Sequence, residues 1–215
     1  YVVDIVDGTV TMGKAQLTVS LADVQRTYGK EALNAGYAYG VKETGLVNGD
    51  TNYGDIVLSD ARTDGALDTT PNDLVITKDA GGDYTWTTTA SLNEALSKNY
   101  ELAEVVAGDS DIVQANLTIK LNNVSMTYGQ AESELTYGHV VDANDKLVNG
   151  DKLSDVVTFG YNNTAYVDGS STVTKDVSGS PYVLEEENVV AGSKYGNYVV
   201  DIVDGTVTMG KAQLT

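Results

Sequence analysis

Residues 1–18 read YVVDIVDGTVTMGKAQLT, and residues 198–215 read the same, letter for letter. The offset is 198 − 1 = 197. An identity of that length does not arise by chance, so a chain of this kind is expected to carry near-identical tandem units. A weaker repeat lies inside the first. Leu17-Thr18 matches Leu117-Thr118, and Thr27-Tyr28-Gly29 matches Thr127-Tyr128-Gly129, both at offset 100. Leu46 to Asp50 and Leu147 to Asp151 both read Leu-Val-Asn-Gly-Asp, at offset 101. Asn99-Tyr100 matches Asn197-Tyr198 at offset 98. The larger period is therefore read as two related domains of about 100 residues each. Residues 1–12 are expected to be the closing hairpin of a preceding repeat. Residues 13–112 form one β-domain and 113–210 a second, and 211–215 begin a following one. The short connectors, Gly-Lys-Ala-Gln and Val-Gln-Ala-Asn, are expected to leave neighbouring domains little freedom to swing.

The strand pattern is all-β. Ala15, Leu17, Val19 and Leu21 alternate with polar residues, and Ala115, Leu117, Ile119 and Leu121 do the same. Period two marks a strand with one buried and one wetted face. Tyr198, Val200 and Ile202 alternate likewise, Asp204-Gly205 follows, and Val207 and Met209 share a face beyond it. Asp-Gly between two alternating runs predicts a hairpin, with Thr206 to Met209 running back. Asn48-Gly49 and Asn149-Gly150 predict tight turns. Residues 91–98 are compatible with a short helix, a local decoration at most. Residues 51–83, polar and rich in Gly and Asp, lack a clear counterpart in the second domain. The pattern accepts an immunoglobulin-like sandwich or a β-grasp-like sheet, in an elongated array.

Charge and composition exclude whole classes of function. Lys and Arg total 13 against 31 Asp and Glu, a formal charge of -18. Such a field repels DNA, RNA and anionic lipid, so nucleic-acid binding is not expected. No apolar run approaches the roughly 20 residues that span a bilayer, so no membrane insertion is expected in this segment. Tyr1 opens directly on a strand pattern with no signal peptide before it, as in an internal or mature segment. There is no cysteine, hence no disulfide, thiolate metal site or Cys nucleophile. The single histidine, His139, leaves zinc sites and Ser-His-Asp triads almost without material. No constellation of catalytic type is shared by the two domains, and the chain is not expected to be an enzyme.

The shared motifs resemble one family. Each unit has a Leu-Thr strand, a Thr-Tyr-Gly turn, a Leu-Val-Asn-Gly-Asp segment and a closing Asn-Tyr…Gly segment. In the second unit that segment reads Gly-Thr-Val-Thr and runs into Lys-Ala-Gln-Leu-Thr. This set is similar to the MBG-type (YGX) repeat domain of large bacterial surface and filamentous-haemagglutinin-like adhesins. The resemblance implies a structural stalk or spacer on the bacterial cell surface, which projects a distal binding region. It carries over no catalytic residue and no cofactor. The implied partners are neighbouring repeats of the same chain, with a host glycan or surface protein as a further possibility.

Several residues invite a more specific reading. The competing function is weak binding of glycan or mucin, strengthened by repeat avidity. Tyrosine supplies 14 residues against one Trp and one Phe, which suits strand edges and domain junctions and also a sugar-binding face. Tyr28 and Tyr128 are shared beside a turn glycine, which favours a role in the fold. Tyr161, Tyr166 and Trp86 are the ligand candidates. Trp86 aligns with Leu184, as a core residue would. His139 aligns with Tyr39, which points to a strand position rather than a metal ligand or a general base. Asp142, Asn144 and Asp145 bunch in one turn, and Asp109 and Asp111 lie near the boundary between the domains. Calcium at the junction is conceivable, and a solvated acidic surface is the plainer reading. Lys14 aligns with Gln114, and Lys120 with Ser20, so an isopeptide staple common to both domains is not expected.

Overall fold

In a computed structural model of the chain, residues 1–30, 39–41, 45–51, 53–67, 76, 78–167 and 172–214 are described. The part of the polar stretch 51–83 that falls at 52, 68–75 and 77 lies outside them. The chain is all-β, in two compact units. One holds residues 1–25, 32–73 and 83–111, and the other 26–31, 74–82 and 112–215.

The alternating runs become strands β1 (Ala15–Leu21), β2 (Val24–Thr27), β3 (Tyr39–Val41), β4 (Ile56–Asp64), β5 (Thr85–Leu92), β6 (Tyr100–Val106) and β7 (Gly108–Val113). They form a three-stranded sheet ordered β3-β1-β6 and a four-stranded sheet ordered β2-β7-β5-β4. β1 pairs antiparallel with β3 and parallel with β6. Leu17, Val19 and Tyr100 of the first sheet pack on Ile56 of the second and on Leu96. Leu96 is carried by the one-turn helix α1 (Glu94–Ser97), which Asn93 caps by accepting the Leu96 N–H. The short helix expected over 91–98 is therefore this single turn.

The same order recurs in β8 (Ala115–Leu121), β9 (Val124–Thr127), β10 (His139–Val141), the one-turn helix α2 (Leu153–Val156), β11 (Val157–Asn162), β12 (Tyr182–Ala191), β13 (Tyr198–Val203) and β14 (Gly205–Gly210). Here the sheets run β10-β8-β13 and β11-β12-β14-β9. Leu121, Met126, Tyr166, Leu184, Val207 and Met209 fill the core between them.

One expectation is corrected. Asp204-Gly205 makes no hairpin. β13 pairs parallel with β8 from Tyr198↔Ala115, and β14 pairs parallel with β9 from Val207↔Val124. The register offset is the same on both sides, 198 − 115 = 83 and 207 − 124 = 83. The closing segment thus runs on in one direction beside the opening one, and both bend from the first sheet into the second. A strand that changes sheets must turn its other face to the core, as strands do at sandwich corners. The burial phase slips accordingly: Leu117, Ile119 and Leu121 are buried before the bend and Met126 after it, and Val207 and Met209 follow buried Tyr198.

Glycine is needed at this bend for room rather than for an unusual φ. A Cβ on Gly205 would lie 2.9 Å from the Asn122 carbonyl oxygen, and one on Gly108 would lie 2.6 Å from that of Ala22. Gly205 faces Leu184 across the sheet, and Gly108 faces Trp86. By contrast, Asn48, Gly49, Asn149 and Gly150 all have positive φ. That is the pattern of a type I′ turn, closed by Asp50 N–H to Val47 O at 3.1 Å and Asp151 N–H to Val148 O at 2.9 Å.

Candidate functional site

The three ligand candidates fall in different surroundings. Trp86 is fully buried, and its indole Nε1–H donates to the Ala22 carbonyl at 2.8 Å. Packed with Leu21 and Val24, it offers no face to a ligand. Tyr166 is also fully buried, with its hydroxyl 3.1 Å from that of Tyr137. Burial pushes the Tyr166 phenol far above its ordinary value, since the charged form would lose its hydration. Tyr161 alone of the three is partly exposed.

Tyr161 belongs to an aromatic ledge on β10 and β11. The strands bring Phe159 and Tyr161, two apart on β11, near His139 at the start of β10. Tyr137 and Tyr161 stack with ring centroids 5.2 Å apart and planes 19° from parallel. Phe159 meets Tyr161 edge-on at 5.8 Å and lies 5.2 Å from the His139 ring. His139 Nδ1 and the Tyr161 hydroxyl form a hydrogen bond of 2.9 Å. Tyr137, Phe159 and Tyr161 rest against the core with their outer parts in water, while His139 and Val140 are exposed. Burial raises the Tyr137 and Tyr161 phenols above their ordinary value, so both are neutral at physiological pH. The ledge can therefore present ring edges, a neutral hydroxyl and an imidazole to a polar ligand that has a flat apolar face.

The shared motifs themselves build a second constellation, which the spacing did not foretell. The last carboxylate of each Leu-Val-Asn-Gly-Asp segment holds the tyrosine that opens the closing segment. Tyr100 donates to Asp50 Oδ2 at 2.7 Å, and Tyr198 donates to Asp151 Oδ2 at 2.8 Å. Each hydroxyl also accepts a backbone N–H at 3.0 Å, from Val47 and Val148 respectively. Both rings are buried, 2% and 1% exposed. In the second unit Tyr28 adds its hydroxyl to Asp151 at 3.0 Å and meets the Tyr198 ring edge-on at 5.6 Å. Burial first, then the Asp151 charge among other causes, pushes the Tyr198 phenol well up. These are clasps: they tie the closing strand to a turn. Recurrence of both motifs at nearly one offset was the available signal that they touch.

The acidic turn is locally satisfied. Asp142 accepts from Asn144 N–H at 2.9 Å and from Lys120 Nζ at 2.6 Å. Lys120 holds the Asp142 carboxyl below its ordinary range. Among the described residues no group of three or more His, Cys, Asp or Glu is placed to hold a metal ion. Lys14 donates to the Ser97 carbonyl at 2.5 Å. A cleft of about 260 Å³ in the second unit is walled by polar groups, among them Lys30, Asn116, Asp145 and Lys146. It is smaller and more polar than the mostly apolar pockets of roughly 300 Å³ and above that enclose small molecules. Among the described residues no helix is long and apolar enough to cross a membrane.

Neither a curated protein nor a solved structure matches the chain. Residues 117–208 match the family model of the MBG domain (YGX type), so the second repeat is the part of the chain that this family describes.

Proposed function

We propose that the chain is a structural spacer of a bacterial cell-surface adhesin, a stalk repeat that projects a distal binding region from the cell. The observation that carries this reading is the period. The sequence returns to its first letter after 197 residues, and the strand order β3-β1-β6 with β2-β7-β5-β4 returns once within that period. Modules that bury their own cores can be multiplied without refolding their neighbours. A formal charge of -18 keeps like copies apart, where near-identical sequence would otherwise invite association. The match of residues 117–208 to the MBG domain, with the surface proteins its motifs imply, supports an extracellular setting. In this reading the chain performs no catalysis, and its partners are its own neighbouring repeats.

Length against copy number tests it. Chains of one, two and four periods should gain maximum dimension in small-angle scattering almost linearly. A gain no steeper than the square root of copy number, as for a flexible tether, would remove the spacer.

The aromatic ledge favours a second reading, weak binding of a host glycan or mucin. Its test is a glycan array probed with a multi-period chain, native and carrying Tyr161→Ala. Signal that the substitution abolishes would support binding, and a silent array would leave the spacer.

A further inference from the structure

Inside the second compact unit, the Thr-Tyr-Gly tip at residues 27–29 is seated on the Leu-Val-Asn-Gly-Asp turn at residues 147–151. A Cβ on Gly29 would overlap the Val148 side chain, so the tip needs glycine for close approach as well as for its φ of 70°. Asn149 Nδ2 donates to the Ile76 carbonyl at 2.9 Å, and the Tyr28 hydroxyl donates to Asp151 Oδ2 at 3.0 Å. Asp79 closes the contact, accepting from Asn197 Nδ2 at 2.8 Å. Each half of this contact is built a second time. At the other tip Gly129 has a φ of 81°, and its N–H donates to the Val173 carbonyl at 2.9 Å, as that of Gly29 does to Ile76 at 2.8 Å. Val173 N–H returns to the Gln130 carbonyl at 2.9 Å, as Ile76 N–H does to Lys30 at 3.0 Å. Thr-Lys-Asp follows Val173 as it follows Ile76, so Asp176 corresponds to Asp79. The other turn, at residues 46–50, has the same letters and the same backbone, with φ 58° at Asn48 against 56° at Asn149. Asn99 corresponds there to Asn197.

We propose that the tip around Tyr128 and Gly129 is a docking surface for a second copy of this chain, which offers its turn at residues 46–50. The occupant is fixed by the contact that the chain already makes. Each of the four partners described has its counterpart, with donor facing acceptor at every point. Val47 would press on Gly129, Asn48 would donate to the Val173 carbonyl, Tyr128 would donate to Asp50, and Asn99 would donate to Asp176. The Val173 carbonyl accepts the Gly129 N–H with one lone pair and keeps a second for Asn48. Tyr128 would share Asp50 with Tyr100, as Tyr28 shares Asp151 with Tyr198. Tip and turn are different patches, so the contact is heterologous and copies add head to tail. The proposal rests on the spacer reading above: in a stalk of such repeats, the same pair of surfaces would join one period to the next.

The chain has no cysteine, so introduced thiols report on one pair of positions at a time. Two variants of the full 215-residue chain, Asp176→Cys and Asn99→Cys, are mixed at millimolar concentration and treated with a short bismaleimide. Crosslinked heterodimer is expected at least tenfold above the homodimer that either variant forms alone, because a head-to-tail contact brings position 176 to position 99 and neither to itself. Adding Tyr128→Ala to the Asp176→Cys variant should return the mixture to that baseline. Heterodimer no more abundant than the homodimers, or heterodimer indifferent to Tyr128→Ala, would overturn the proposal. A chain carrying both Asp79→Cys and Asn197→Cys should bridge within itself, and failure to do so would remove the contact on which the proposal is patterned. The spacer is judged separately by scattering: linear growth with copy number but no heterodimer would keep the spacer and discard this docking surface.

Discussion

Tyr1–Met12 and Tyr198–Met209 are the same molecule in the chemical sense and different objects in the structural one. The second copy is two strands, half of whose side chains face the core, and the first is bare. Local propensity is identical in the two by construction, so propensity decides nothing here. What differs is the company. Residues 198–210 have β8 and β9 on one side, β12 across the bend, and the Asp151 carboxylate for their first hydroxyl. The free energy of a strand lies in its cross-strand pairs and buried face rather than in its backbone preference. The comparison offers an unusual control: every substitution can be made twice, at positions 197 apart, in one protein.

The largest contrast is expected from an acidic residue at the core position. Val207→Asp buries an unpaired charge and should cost about 4 kcal/mol or more. Val10→Asp, the same change at the first copy, should leave the unfolding midpoint within about 0.5 kcal/mol of native. Denaturant melts of the two variants decide the matter, and equal losses would break the comparison. Next is the bend. Gly205→Ala drives a methyl toward the Asn122 carbonyl and should cost about 1–3 kcal/mol, whereas Gly8, with nothing within 4 Å, should tolerate alanine freely. Third is the clasp. Tyr198→Phe leaves the Asp151 carboxylate and the Val148 N–H short of a partner, for about 1–2 kcal/mol, and Tyr1→Phe should be silent.

The same phenol sharpens the comparison through pH. The folded-state value of Tyr198 lies above the ordinary 10.0, so the folded chain keeps a proton that the unfolded chain releases. Its contribution is fully present below pH 10 and is lost as pH rises from there toward the folded value. Alkaline melts of native protein should therefore fall more steeply above pH 10 than those of the Tyr198→Phe variant. The smallest effect flanks the second copy. Asp79 accepts from Asn197 and Lys194 at 2.8 and 2.9 Å, and these hold its carboxyl below the ordinary 3.8. That stability is present above pH 3.8 and is lost as pH falls through the lowered value. The carboxylate is 66% exposed, so Asp79→Asn should change acid stability by less than about 1 kcal/mol.

Much of the fold was legible because burial alternates where the letters alternate. Leu17, Val19, Leu117 and Ile119 are fully buried in the strands that their period announced. The Asn-Gly turns were legible because only a few residues accept two successive positive φ values. The direction of the closing strand was not. Asp-Gly serves a hairpin by the φ of glycine and a sheet crossing by its missing Cβ, and the letters are the same for both. The phase slip, with Tyr198, Val200 and Ile202 at even positions and Val207 and Met209 at odd ones, marked a change of face without saying whether the chain reversed. Of the proposed ligand residues, Tyr166 and Trp86 lie in the interior, and Tyr161 stands on a ledge with His139. Aromatic letters do not reveal which ring is covered, because that depends on strands distant in the chain. The alignment of Trp86 with Leu184 was the informative sign, and the fold sets both opposite the bend glycine.

Residue-resolved amide exchange on the monomeric 215-residue chain, segmentally labelled to separate the two identical stretches, tests the central claim most directly. Amides of the second copy that enter the ladders with β8, β9 and β12 should be protected to near the global stability, and those of residues 2–12 should exchange as in an unstructured peptide. Protection of both copies to the same degree, or of neither, would contradict the account.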